Sequence, residues 1–309
     1  MWQYALLIST AAVLTFQSLF AKLYSNNYAG EDKYSSPVFS VLYGLSVALI
    51  TLAVSGFSFS PSLFTVITGL LNGVFLFLYN FSLIEGARRG PYSIVIISAI
   101  FGGVLVPMFV MFFMPYAVEL LVGKESSLWF TPQSFSVLQL VAMVIVLVAF
   151  VLLNLKGGDQ GRSKKYYYFW VLLIALVNGG YGTVLALQAQ LRPDDRSEVL
   201  VLTYAFAGVI SFVYLVFLAR RKQVFSRFRM PSKALFFALG ACVIASLASN
   251  LSTYILTLFD NAAIVNATSN GCILIFTAVA AYLLFKERMN WKQLLGAALC
   301  VVSLVLLNF

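Results

Sequence analysis

Ile264 to Phe285 is one apolar run and Leu294 to Phe309 is another, and between them stands Lys286-Glu287-Arg288-Met289-Asn290-Trp291-Lys292. A hydrocarbon core about 30 Å thick needs about 20 apolar residues in a helix, and each run is close to that length. The polar knot leaves room only for a tight turn at the membrane surface, with Trp291 at interfacial depth. The pair therefore reads as a helical hairpin in lipid. Its pattern occurs earlier in the chain. Val151-Leu152-Leu153-Asn154 returns as Val305-Leu306-Leu307-Asn308, and Gln139-Leu140 returns in the same register as Gln293-Leu294. Further upstream, Tyr79 and Leu83 match Tyr254 and Leu258, and Ile94-Val95 matches Ile264-Val265. Four matches in one order point to an internal duplication.

Composition restricts the class. Hydrophobic residues make up 61% of the chain and charged residues 10%, which no soluble globular domain approaches. The formal charge of +9 does not indicate nucleic acid, because the basic residues stand in short segments between apolar runs. Cys242, Cys272 and Cys300 all fall inside apolar runs, as buried small hydrophobes do, and form neither a disulfide framework nor a metal site. The absence of histidine removes imidazole proton relays and HExxH zinc sites. No cofactor or metal is expected.

Ten spans follow from the apolar runs. Trp2 to Lys22 lacks a basic start and reads as a first span, not a cleaved signal. Span two starts at Pro37, and span three covers Ser62 to Ile84, broken by the polar stretch Glu85 to Pro91. Span four covers Tyr92 to Met114, with Pro107 expected to bend it. Residues 116–131 have no counterpart in the second half and read as an interfacial loop or as a flap over a solute path. Span five is Phe135 to Leu155. Residues 156–166 make a glycine-rich, charged linker, so the first five-helix repeat is 1–155 and the second 167–309. Tyr166 to Trp170 reads as an aromatic belt opening span six. A polar loop, Leu191 to Glu198, precedes span seven, and the basic loop Arg220 to Lys233 precedes span eight. Asp260 and Asn261 turn the chain into span nine.

Five helices per repeat force the halves to insert in opposite senses, the plan of inverted-repeat carriers whose site lies at mid-membrane. Segments after the odd-numbered spans hold 17 of the 20 lysines and arginines, which predicts that they face the cytoplasm and that both termini lie outside.

The closing residues carry a family likeness. Lys286-Glu287-Arg288 followed by Gln293-Leu294-Leu295-Gly296-Ala297-Ala298-Leu299 resembles the end signature of the EamA-type drug/metabolite transporter superfamily, and Phe16-Gln17-Ser18-Leu19-Phe20-Ala21-Lys22 resembles its opening motif without the usual Trp-Gly pair. The resemblance implies an all-α solute carrier of ten transmembrane helices in two inverted five-helix repeats. It also implies cytoplasmic termini, opposite to the orientation that the loop charges favour.

No span interior holds a charged side chain, so Glu85 and Asp260 at span ends read as solvated turn residues, with gating or proton coupling as the functional alternative. Span nine opens with Asn266, Ser269 and Asn270 on one face, at i, i+3, i+4 spacing. That face must meet another helix or a wet cavity, since lipid would leave its amides unsatisfied. Interhelical hydrogen bonding and solute binding both fit. Gln17, Tyr79, Asn80, Tyr181, Asn250 and Tyr254 are further substrate-binding candidates, with Asn72, Asn178 and Tyr204 as inward polar residues beside them. Asn178-Gly179-Gly180-Tyr181-Gly182 is expected to weaken its helix and let another backbone or a ligand approach, and Lys22 and Gln188 are expected to snorkel.

The expected function is secondary-type transport of a small organic solute, neutral, zwitterionic or weakly cationic, by alternating access. Its partners are that solute and the bilayer, most simply the plasma (inner) membrane, crossed by a monomer or homodimer. A non-transporting receptor or scaffold is the alternative. A membrane-embedded enzyme would need a nucleophile with its base or a set of metal ligands, and the spans offer neither, so no catalytic residues are expected.

Overall fold

The computed structural model describes residues 2–28, 34–92, 94–103, 106, 136–154, 166–222, 230–258, 262–285 and 290–306. Pro107, residues 116–131, residues 156–165 and Asp260, to which the sequence assigns a bend, a flap, most of a linker and a turn, lie outside them. The described chain is helical, with no strand. The helices are α1 (Trp2–Asn27), α2 (Ser35–Val54), α3 (Leu63–Arg89), the shorter segment α4 (Ile94–Gly103), α5 (Val137–Asn154), α6 (Tyr167–Leu191), α7 (Arg196–Lys222), α8 (Ser232–Leu258), α9 (Ala262–Phe285) and α10 (Trp291–Leu306). Within α1, α2, α3, α6, α7 and α8 lie six stretches long and apolar enough to cross a membrane.

Local chemistry sets the ends. Ser62 caps α3, its hydroxyl accepting from the Thr65 N–H at 3.2 Å, which satisfies one of the unpaired donors of the first turn. At the other end Gly90 is extended (φ −169°, ψ −166°) and so outside the helical region that proline disfavours for the residue before it; Pro91 stops the helix. The break therefore comes later than the charged residues suggest. Glu85, Arg88 and Arg89 are all helical, because a helix tolerates arginines in its last turn, where they complement the dipole. Arg196 to Glu198 is likewise helical, after a 3-10 turn at Pro193–Asp195.

The helices pair reciprocally. α1 packs on α8 and α6 on α3; α2 packs on α8 and α7 on α3; α2 crosses α7, and α5 lies along α10. Adding five to each label, and counting on from one after ten, turns every one of these pairings into another of them or into itself. The buried positions are rich in small residues, among them Ala11, Ala21, Ala207, Ala238, Ala241 and Ala245, while Leu49, Leu63, Phe212, Val213 and Phe236 are exposed. Lipid solvates leucine as well as a protein core does, so close backbone approach and hydrogen bonding drive helix association instead. The stretch from Asn178 to Gly182 follows this rule. α6 runs through it unbroken, and its glycines serve contact: a Cβ on Gly180 would fall 2.8 Å from the Phe75 ring, and Gly179 lies against Gly102 and Val106. The expected close approach is met here, since neighbouring helices fill the space that the glycines leave.

Candidate functional site

The hydroxyl of Tyr204 on α7 is a polar hub of the bundle. It lies 2.7 Å from the Ser249 hydroxyl on α8 and within electrostatic reach of the hydroxyls of Tyr43 on α2 and Tyr181 on α6. The Tyr43 and Tyr204 rings lie 5.8 Å apart, and the Gln17 amide on α1 donates to the Tyr43 hydroxyl at 2.6 Å. Tyr79 on α3 is close enough to interact electrostatically with Tyr43 and Tyr204. Six helices, three from each half, thus converge on one group of hydroxyls, amides and aromatic faces. None of these group members is an Asp, Glu, Lys or Arg.

α3 carries a polar line through this group. Thr65, Thr68, Asn72 and Tyr79 stand at i, i+3, i+7 and i+14, one face of the helix. At the N-terminal end, Asp195 accepts from the hydroxyls of Ser62 at 2.9 Å and Thr65 at 2.5 Å, and these donors hold its carboxyl below the ordinary carboxylate range. Gln188 of α6 donates to Thr65 at 3.2 Å and accepts from Thr68 at 2.7 Å. At the C-terminal end, Glu85 accepts from Arg88 at 2.6 and 2.7 Å, from Arg89 at 2.9 Å and from Ser36 at 3.0 Å. Thr65 and Glu85 are about 30 Å apart along the helix axis, the thickness of a hydrocarbon core. Asn72 and Asn80, between the two ends, are buried, and both amide atoms of each have no partner among the described residues.

Residues 165–309 match the EamA-like transporter family. The second half of this chain is thus similar to EamA-like transporters. The match is consistent with the drug/metabolite transporter superfamily and, with six apolar helices, points to an integral, multi-pass membrane protein. No curated protein matches the chain. Among solved structures, one described only as a crystal structure of a protein superposes with a TM-score of 0.59 at 14% identity, covering 98% of this chain and 96% of that one. It is similar in fold.

The EamA-like half supplies Tyr181, Tyr204 and Ser249 to the convergence, and the first half supplies Gln17, Tyr43 and Tyr79. Asn250 sits beside Ser249 and donates to the Ser246 carbonyl at 2.8 Å. Tyr254, one turn further along α8, does not join the group. It is 52% exposed, because five residues on from Ser249 carry the side chain about 140° beyond a full turn. Ser269 and Asn270 stand on α9, which packs mainly on α1; both are half-buried, and the side chain of Asn266 is outside the described residues. A groove of about 470 Å³ lined by Asn27, Ser232, Lys233, Phe236 and Phe237 opens at the ends of α1 and α8. It is a separate feature from the tyrosine group.

Three expectations are corrected. Glu85 is 4% exposed and ion-paired, not a solvated turn residue, because its own helix turns Arg88 and Arg89 onto it at i+3 and i+4. Lys22 does not snorkel: it is buried, donates to the Ala87 carbonyl at 2.6 Å and lies over the Tyr92 ring. That carbonyl belongs to the last turn of α3, where helix carbonyls lack partners and cations are favoured. Gln188 is buried too, held by Thr65 and Thr68. Sequence reading missed Tyr43, Ser249, Thr65 and Thr68. The two threonines were legible as a stripe in register with Asn72 and Tyr79, whereas Tyr43 and Ser249 had no local signal.

Proposed function

We propose that this chain is a secondary-type carrier that moves a small neutral, zwitterionic or weakly cationic organic solute across the plasma membrane by alternating access. Ten transmembrane helices form two inverted five-helix repeats in this reading. Its support is the reciprocal helix pairing, in which the main contacts of one half have their mates in the other. The observation that carries the function is Tyr204, whose hydroxyl bonds Ser249 and whose ring lies 5.8 Å from that of Tyr43 in the other half. A solute that enters between these groups alters how the halves hold each other, which is how binding energy can bias two conformations of a carrier. Gln17, Tyr79, Tyr181 and Asn250 line the solute position, joined by Tyr43, Tyr204 and Ser249, while Ser269 and Asn270 on α9 border it from beyond α1. Tyrosine faces favour apolar or weakly cationic parts of the solute, and hydroxyls and amides fix its polar parts.

The test is uptake by the purified protein in liposomes. Neutral, zwitterionic and monocationic metabolites are offered in turn, alongside Tyr181→Phe. The carrier reading requires saturable uptake by the wild type, reduced several-fold when the one hydroxyl is removed, with melting temperature nearly unchanged. Binding without movement of any solute would assign the chain to the receptor alternative.

A further inference from the structure

Buried amides in this bundle fall into two sets. Asn178 donates to the Ala99 carbonyl at 2.8 Å, Gln188 uses both ends of its amide, Gln17 holds Tyr43, and Asn250 holds the Ser246 carbonyl. These are interhelical or intrahelical bonds of the ordinary kind. Asn72 and Asn80 differ. They are 0% and 1% exposed, and neither the nitrogen nor the oxygen of either amide has a partner among the described residues. An idle buried amide is unfavourable anywhere, and more so where no water is at hand. A chain that needed only packing here would carry leucine, which is close to asparagine in size and adds no polar group. Both idle amides lie on α3, the helix that touches α6 and α7 of the other half. Asn72 shares a face with Tyr79 two turns on, and Asn80 is the chain neighbour of that tyrosine. The two asparagines are about 12 Å apart along the axis, the length of a small metabolite.

We propose that Asn72 and Asn80 hydrogen-bond the transported solute, and that this solute is uncharged and presents a donor beside an acceptor, as a lactam edge or a vicinal diol does. The proposal rests on the carrier reading above. A carboxamide carries an N–H donor and a carbonyl acceptor side by side. A carboxylate offers only acceptors and an ammonium only donors, so either leaves half of each amide unmatched. Either also brings a full charge beside a tyrosine group that holds no counter-charge. The same asparagines explain how loading drives closure. Empty, the closed bundle holds idle amides and is disfavoured against an open, hydrated one; loaded, the amides are paired and closure is relieved of that penalty.

The experiment uses the full chain in liposomes, as wild type, Asn72→Leu and Asn80→Leu. The probes are uracil, a lactam; myo-inositol, a vicinal polyol; and 1,3-dimethyluracil, which keeps the ring of uracil and lacks its donors. We expect the wild type to carry uracil or inositol, which identifies the source of the donor–acceptor pair, and to leave dimethyluracil behind. Each leucine variant should melt at or above the wild-type temperature without solute, and its uptake of the carried probe should fall about tenfold. Lower melting in both variants would make the asparagines structural and overturn the proposal, as would undiminished uptake. Transport of neither uracil nor inositol overturns the solute class. Uptake of some other solute that both leucine variants match leaves the carrier reading standing while removing the asparagines from it. Binding of uracil that weakens in the variants, with no uptake by any form, keeps the asparagines and sinks the carrier.

Discussion

A Cβ built on Gly44 falls 2.5 Å from the backbone nitrogen of Gly208, so α2 and α7 cross backbone against backbone, beside Tyr43 and Tyr204. Real Cβ atoms do not approach that closely, and the atoms met are main chain, which cannot move aside. Gly44→Ala must therefore separate the two helices. We expect a loss of about 1–3 kcal/mol, the usual range for an overpacked contact. Gly56→Ala serves as the comparison for loss of a glycine without a clash, since that residue has open space and a left-handed φ of 68°. Thermal melting in detergent checks the first effect. An unshifted Gly44→Ala would mean that the crossing is looser than this distance states.

Glu85 compensates two arginines whose side chains are 16% and 25% exposed. Glu85→Gln keeps the shape and removes the charge, leaving Arg88 and Arg89 facing an amide. The expected cost is about 1–3 kcal/mol, with any pH dependence of uptake retained. A flat pH profile in this variant, at unchanged stability, would instead make Glu85 a proton carrier.

The Asp195 carboxyl is held low by hydroxyl donors, chiefly Thr65, then Ser62. A folded-state value below the unfolded one stabilises the fold above the unfolded carboxylate range, about pH 4, and this contribution is lost as pH falls through the lower folded value. Thr65→Val removes one donor and moves the folded value up. The melting-temperature difference between wild type and Thr65→Val should thus be full above about pH 5 and shrink toward about pH 2. A difference constant across that interval would separate Thr65 from the titration of Asp195.

Orientation follows from charge. Arg220 to Lys222 end α7, whose other end carries Ser197. The excess of basic residues after the odd-numbered spans predicts that the Lys222 end is cytoplasmic. An impermeant thiol reagent applied to intact cells should label Ser197→Cys and spare Lys222→Cys. The opposite pattern would put both termini in the cytoplasm, as the resemblance to the transporter superfamily implies.

Membrane class and helical content were legible because they depend on composition and run length, which are local. The likeness in Gln293 to Leu299 needed no geometry either, and residues 165–309 carry the family match. Gln17, Tyr79 and Tyr181 could be singled out as polar residues inside apolar runs, since lipid leaves such groups no solvent. Helix ends were less legible. Apolar run length stops the third span at Ile84, yet α3 continues to Arg89. It can do so because Glu85, Arg88 and Arg89 neutralise one another, and that compensation is a three-dimensional fact.

Tertiary structure alone decided the rest. Tyr43 and Ser249 sit in stretches whose local pattern is no different from their neighbours, and they join the site because α2, α7 and α8 bring them to Tyr204. Lys22 and Gln188 look like interfacial residues by position, yet each has a buried partner supplied by α3. Tyr254 has the composition of a site residue and the wrong face of its helix. Asn72 and Asn80 stand out only against the buried amides that have partners. The physical reason is the same in each case. The sequence reports how badly a polar group fits lipid, but which group satisfies it depends on helices far away in the chain.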